Sequence, residues 1–198
     1  GGGGGGEGGG EGTGPREVVP ALFSAFAPPE VAADTQFDLK VWVYRAFEKQ
    51  QREEVLRRAA DGGRMAESGQ SCAVPLARGE RVTVVLDAPP EMFVAAAARP
   101  ADWPSRPLSA DEAEANAEAL TGSFRWQAEI DHVPFALCVA PDAPAGCVDC
   151  CAYILHGDTW PRRRAVLRFS LRIGGGGGEG VTLHSTVTVL ELGPAKGP

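Results

Sequence analysis

The sequence predicts an all-β fold, an antiparallel β-sandwich with one helical insertion and a second short helix. Residues 162–173 alternate apolar and polar side chains almost without error, which is typical of a strand with one buried face. Short strand candidates follow one another between turns rich in Pro and Gly, as they do in sandwiches. Too few helices separate them for the repeated β-α-β units of a parallel sheet.

The composition limits the classes of function. The chain has 198 residues, enough for one domain with tails, and a formal net charge of −7. An acidic chain is a poor general binder of nucleic acid, so no nucleic-acid partner is expected. No apolar run approaches the roughly 18 residues of a membrane span, so we expect no membrane association. Five cysteines, an odd number, argue against a secreted disulfide scaffold and favour a cytoplasmic protein.

Glycine clusters and composition shifts predict the domain boundaries. The first residues are almost entirely Gly and Glu and can bury nothing, and a second glycine run precedes a last apolar segment. We therefore predict a disordered Gly-rich tail (1–19), a sandwich domain (20–173) with a surface excursion (91–121), a Gly-rich linker (174–180), an additional strand (181–192) and a tail (193–198).

Periodicity predicts the elements of the domain. Strands are expected at 22–27, 36–45, 72–76, 81–87, 123–130, 135–139, 147–155 and 162–173. A first helix is predicted over 47–60, because Glu and Arg recur there at i,i+4 spacing. Its narrow apolar stripe, formed by Phe47, Val55, Leu56 and Ala59, is expected to lie on the sandwich. Ser109 and Glu112 form a capping-box pattern that predicts the second helix.

Four segments together resemble a known module. They are FSAFAPPEVAADTQFDLKVWVYR (23–45), VPLARGERVTVVLDAPP (74–90), VPFALCVAPDAPAGCVDCCAYILHG (133–157) and RAVLRFSLRI (164–173). In this order they resemble the Ig-like β-sandwich module of bacterial multidomain proteins, which sits beside Toll/interleukin-1 receptor-like or caspase-like effector domains. The excursion is longer than in that family, and nothing after residue 174 has a counterpart. The resemblance implies an Ig-like sandwich in an accessory or interaction role, with no catalytic residues to carry over.

A cysteine cluster is the sharpest chemical feature. The spacing of Cys147, Cys150 and Cys151, with His156 nearby, could serve a metal or a redox pair. A structural zinc site needs four ligands, however, and on a strand Cys147 and Cys150 face opposite sides. Buried cysteines also behave as small hydrophobic residues, so we favour core or edge cysteines and expect no cofactor.

Candidate contact residues remain on the predicted outer faces. Trp42 and Tyr44 fall opposite the core-facing row of their strand, where another segment covers them or they form a contact surface. The arginines of the last domain strand could meet an acidic partner, although a solvated strand face explains them better. The candidate interaction residues are Trp42, Tyr44, Trp103, Arg164, Arg168 and Arg172.

These patterns favour a non-catalytic protein-interaction or scaffold module with an unidentified protein partner. No nucleophile-elbow, zinc-hydrolase or phosphate-loop motif appears, so we expect that the protein is not an enzyme. Recognition would use an exposed strand edge or an aromatic patch. A thiol-based metal-binding or redox protein is the alternative, and an inhibitor or sensor that docks through residues 91–121 is a third hypothesis.

Overall fold

Two antiparallel sheets form the protein, as the sequence predicts. The computed structural model describes residues 17–61, 65–70, 73–157, 163–174 and 188–190. The strands are β1 (Val18–Ala27), β2 (Gln36–Arg45), β3 (Ala66–Gln70), β4 (Val74–Ala77), β5 (Arg81–Asp87), β6 (Phe93–Ala95), β7 (Thr121–Arg125), β8 (Asp131–Val139), β9 (Gly146–His156), β10 (Arg163–Ile173) and β11 (Thr188–Leu190). The helices are α1 (Lys49–Asp61), α2 (Ala110–Ala119) and a short 3₁₀ helix (Ala96–Ala98).

The strand order defines the two layers. The first sheet has the order β3-β1-β2-β8-β6, and β4 also pairs with β1. The second has the order β11-β10-β9-β5-β7. Every strand pair is antiparallel. The predicted all-β sandwich with two helices is therefore confirmed, and no helix within the described ranges is long and apolar enough to cross a membrane.

Alternation along the strands builds the core. In β10 every second residue from Ala165 to Ile173 is buried, and in β5 the buried residues are Val82, Val84 and Leu86. The inward row of β2, from Phe37 to Val43, packs into the same cluster. A period of two thus places one apolar row of each strand between the sheets.

Helix α1 covers the outer face of the first sheet. Its Val55 and Ala59 are buried against Trp42 and Tyr44 of β2 and Phe26 of β1. The prediction that this helix lies on the sandwich is confirmed.

The predicted apolar stripe of α1 was partly wrong. Phe47 precedes the helix and is 90% exposed, and Leu56 is 42% exposed. Only Val55 and Ala59 of that stripe are buried in the small second core.

The predicted surface excursion contains part of the sandwich. Phe93–Ala95 forms β6, which pairs with β8 and is fully buried. Asn116 of α2 is also buried and accepts a hydrogen bond from the backbone N–H of Ala95 at 2.8 Å. The helix therefore closes the edge of the first sheet, and the capping box of Ser109 and Glu112 is present as predicted.

Several boundaries differ from the predictions. Strand β1 begins at Val18, inside the predicted tail, and the strand expected at 72–76 is β4, Val74–Ala77. The strand expected at 123–130 is β7, Thr121–Arg125, and Ala128 beyond its end adopts a left-handed backbone with φ of 64°. Of the predicted 181–192 strand, only Thr188–Leu190 is described, as β11.

Other predicted segments fall outside the described residues. They are residues 1–16 of the predicted tail, 175–180 of the predicted linker and the 193–198 tail.

A single-residue bridge joins the two sheets at one corner. Val31, between β1 and β2, pairs in parallel with Ile173 of β10. Its N–H donates to Arg172 O, and its C=O accepts from the N–H of Gly174, both at 2.9 Å. The backbone ladder thus continues from one layer into the other.

Candidate interaction site

The predicted aromatic patch is not a surface. Trp42 and Tyr44 are 4% and 1% exposed beneath α1, so their assignment as contact residues was wrong and the covered alternative is correct. The Tyr44 hydroxyl shares a hydrogen bond with Ser24 Oγ at 3.0 Å and accepts one from Gln70 Nε2 at 2.6 Å. Tyr44 therefore ties β2 to β1 and β3 rather than to a partner.

Trp42 stacks on His132 of the neighbouring strand. The ring centroids lie 4.4 Å apart at an interplanar angle of 22°. Burial lowers the pKa of His132, so its imidazole is neutral at pH 7 and stacks as an uncharged ring. Among the described residues Trp42 Nε1 has no hydrogen-bond partner, which is consistent with an indole held by packing alone.

The cysteine cluster is split between the two faces of β9. Cys147 and Cys151 lie on the outer face, whereas Cys150 and His156 face the core. His156 Nδ1 is hydrogen-bonded to Glu80 Oε1 at 2.9 Å, which fixes β9 to the turn before β5. The four predicted residues therefore do not converge, and the described residues contain no group of three or more potential metal ligands.

The thiols of Cys150 and Cys151 are held in the protonated form. Burial raises the pKa of Cys150 to about 12, and burial also raises the pKa of Cys151. Cys151 Sγ and the Tyr153 hydroxyl both donate to Asp87 Oδ2, at 3.7 and 3.3 Å. Because the thiolate is the metal ligand and nucleophile, these protonated thiols are poorly suited to either role.

A shallow cleft of about 520 Å³ lies beside them on the second sheet. Asp149 lines the cleft and accepts a hydrogen bond from Ser170 Oγ at 2.6 Å. Asp87 also lines it and accepts the hydrogen bonds from Cys151 and Tyr153. The acids of the cleft are thus satisfied locally and do not point at a common reacting atom.

The predicted arginine row is interrupted. Arg168 is exposed on the outer face of β10 and lines the 520 Å³ cleft. Arg172 is half-buried and lies 3.9 Å from Glu30 Oε2, while the Arg164 side chain falls outside the described residues. Only Arg168 therefore offers an exposed cation among the described part of this row.

Trp103 packs down into the excursion. It is 5% exposed, its Nε1 donates to Pro90 O at 3.0 Å, and Arg99 lies 5.7 Å above its ring. Trp103 is therefore a packed loop residue and not an exposed partner anchor. One of its edges nevertheless lines a cleft between the excursion and the turn that joins β8 to β9.

Phe47 is the exposed aromatic residue that the sequence pattern concealed. It is 90% exposed, and its backbone is left-handed with φ of 67°, which is rare for a bulky residue. Assigning it to the helix placed it on a buried stripe. The helix starts at Lys49, so Phe47 belongs to the preceding turn, and a later helix start would have revealed this.

Arg45 braces the turn that carries Phe47. Its backbone N–H donates to Gln51 Oε1 at 2.9 Å, and its Nη1 donates to Glu48 Oε1 at 3.1 Å. Its Nε donates to the carbonyl of Ala128, the left-handed residue after β7, at 2.8 Å. The turn is thus fixed to its own helix and to a distant loop.

The fold and this turn define a β-sandwich protein in which, among the residues that the structure describes, one aromatic side chain is exposed, that of Phe47 on its braced turn. No protein-family model matches the chain, and a search of curated proteins finds no match.

Proposed function

We propose that the protein is a non-catalytic protein-interaction module that contacts its partner through Phe47. The observation that carries this proposal is a large apolar ring, 90% exposed, on a strained backbone that Arg45 holds in place. Strained backbone conformations cluster at functional sites, where the surrounding structure maintains them.

The energetics favour a partner with an apolar pocket. Burying a Phe side chain is worth roughly 1.5–3 kcal/mol, which makes one ring a substantial anchor. Because the hydrogen bonds of Arg45 already order the turn, little conformational freedom is lost on binding. The neighbouring charges, Glu48 and Lys49, have opposite signs, so we assign recognition mainly to the apolar contact.

The setting we propose is an accessory domain of a cytoplasmic signalling or effector protein. The resemblance to the Ig-like module supports that role. Unpaired thiols support a reducing compartment, since the described free cysteines are Cys138, Cys147, Cys150 and Cys151. The thiol-based alternative is the weaker proposal, because Cys150 and Cys151 are held protonated.

A photo-crosslinking amino acid at position 47 tests the contact directly. In cells that express the natural gene, the 47 derivative should form a covalent adduct with one partner protein. The matched control carries the same amino acid at Asp149, an exposed position on β9 in the sheet that α1 does not cover, and should not form it. Adducts of equal yield at both positions, or none at 47 while a partner still co-purifies with Phe47→Ser, would contradict the proposal.

A further inference from the structure

A second cleft, of about 490 Å³, lies between the excursion and the turn that joins β8 to β9. Its volume is in the range of sites that hold a ligand or a few side chains. Its apolar lining is formed by Pro90, Trp103, Pro104, Pro107, Leu108 and Ala113. The acids Glu91 and Asp142 also line it.

The cleft is preformed. Trp103 packs on Val94 and Cys138 in a small core of its own, besides its hydrogen bond to Pro90. The loop beyond it is closed by Arg106, which lies 2.6 Å from Asp102 and 2.7 Å from Glu112. A ligand would therefore enter a formed site rather than order a loose one.

The rim of the cleft is acidic. Hydrogen bonds from Arg106 and Ser109 hold the pKa of Glu112 at about 2, so Glu112 is ionised at pH 7. Asp102 and Glu112 share the guanidinium of Arg106, and Arg99, which lies over the Trp103 ring, is paired with Asp34. The lining itself adds two further carboxylates, Glu91 and Asp142.

Two of these acids are available to a partner. Glu91 and Asp142 are exposed, and their side chains make no ion pair or hydrogen bond with any described residue. Arg106, in contrast, is committed to Asp102 and Glu112 and offers no free cation. The unsatisfied charge at the rim is therefore negative.

We propose that this cleft binds a basic segment of a partner protein in which Arg or Lys residues flank one apolar or aromatic side chain. The apolar side chain occupies the floor beside Trp103 and Leu108. The flanking cations meet Glu91 and Asp142, and the complementary charge sets the orientation of the segment. This site is separate from Phe47, so neither proposal depends on the other.

Labelled octapeptides test the chemistry by fluorescence anisotropy on the full chain. One has a central Trp flanked by four arginines, with glycine at the other three positions. A second replaces the arginines with glutamine, and a third replaces the Trp with Ser. The first should bind about tenfold or more tightly than either of the others, a difference of about 1.4 kcal/mol. Its binding should weaken as salt rises, because exposed charges are screened.

Variants locate the binding site. Ala113→Arg, which puts bulk and positive charge into the cleft, should weaken binding of the first peptide at least about tenfold. Ala115→Arg is the matched control two positions along α2, where the side chain points to another side of the helix, and should bind normally. The double variant Glu91→Gln/Asp142→Asn should weaken binding and flatten its salt dependence, whereas Phe47→Ser should leave it unchanged.

Three outcomes would overturn the inference. Equal affinity for all three peptides would show nonspecific attraction. Loss of binding in both arginine variants would place the site elsewhere. Self-association of the unmodified chain that Ala113→Arg abolishes, measured by sedimentation, would make a second copy the occupant.

Discussion

At the scale of single residues, burial depends on what covers a face, which strand alternation does not reveal. The period of β2 correctly placed Trp42 and Tyr44 opposite the inter-sheet core. The strand period could not show that α1 packs over these two rings, because that contact depends on the tertiary fold and not on the local sequence. The error at Phe47 was the opposite one. The predicted helix began two residues too early, so an exposed ring was predicted to be buried.

Replacing Phe47 with Gly should stabilise the isolated protein or leave it unchanged. Relief of the left-handed conformation gains about 1–2 kcal/mol, and the greater freedom of Gly in the unfolded chain offsets about 0.5–1 kcal/mol. Phe47→Ala, which keeps a Cβ and hence the strain, is the control. Urea unfolding measures the free energy of unfolding of both variants. A Phe47→Gly protein that is less stable than the Phe47→Ala protein would show that the turn is not strained.

At the scale of elements, the sequence predicted what local pattern determines. Alternation located β5 and β10, and the pairing of Ser109 with Glu112 located the start of α2. It missed β3, whose segment AESGQ has no apolar alternation and becomes a strand by pairing with β1. It also missed β6, because three buried residues are too few for a period to register.

The candidate sites were less predictable than the strands. Neither the exposure of Phe47 nor the cleft beside Trp103 follows from a motif, since both arise where distant segments meet. The sequence did indicate the opposite faces of Cys147 and Cys150, because that follows from the strand period alone.

Gly122 determines how closely β7 approaches β8. A Cβ at this position would clash with Val133 Cγ1, and Gly122 does not have the positive φ that would by itself favour glycine. Gly122→Ala should therefore lower the free energy of unfolding by about 1–3 kcal/mol through overpacking. In a double-mutant cycle by urea unfolding, Val133→Ala should recover part of that loss, with a coupling of about 0.5 kcal/mol or more. Strict additivity would rule out the contact.

At the scale of the whole molecule, one buried thiol links stability to alkaline pH. The pKa of Cys150 rises from 9.0 to about 12 on burial, so above pH 9 the unfolded chain loses this proton while the folded protein keeps it. The contribution of Cys150 to the free energy of unfolding is therefore fully present below pH 9 and is lost as the pH rises toward 12. The decline approaches about 1.4 kcal/mol per pH unit.

Urea unfolding at several pH values between 9 and 11 would measure that decline. Cys150→Ala should be less stable at pH 7 but should show a flatter dependence on alkaline pH than the unmodified protein. Identical slopes for the two proteins would mean that Cys150 titrates normally in the folded state.

The parallel bridge at Val31 should restrict the local opening of the two sheets. Backbone hydrogen bonds of Val31 with Arg172 and Gly174 join the two sheets at one corner. Fluctuations that separate the sheets should therefore leave that corner closed. In deuterium exchange the amide protons of Val31 and Gly174, although outside the main strands, should then persist as long as those of the interior ladder.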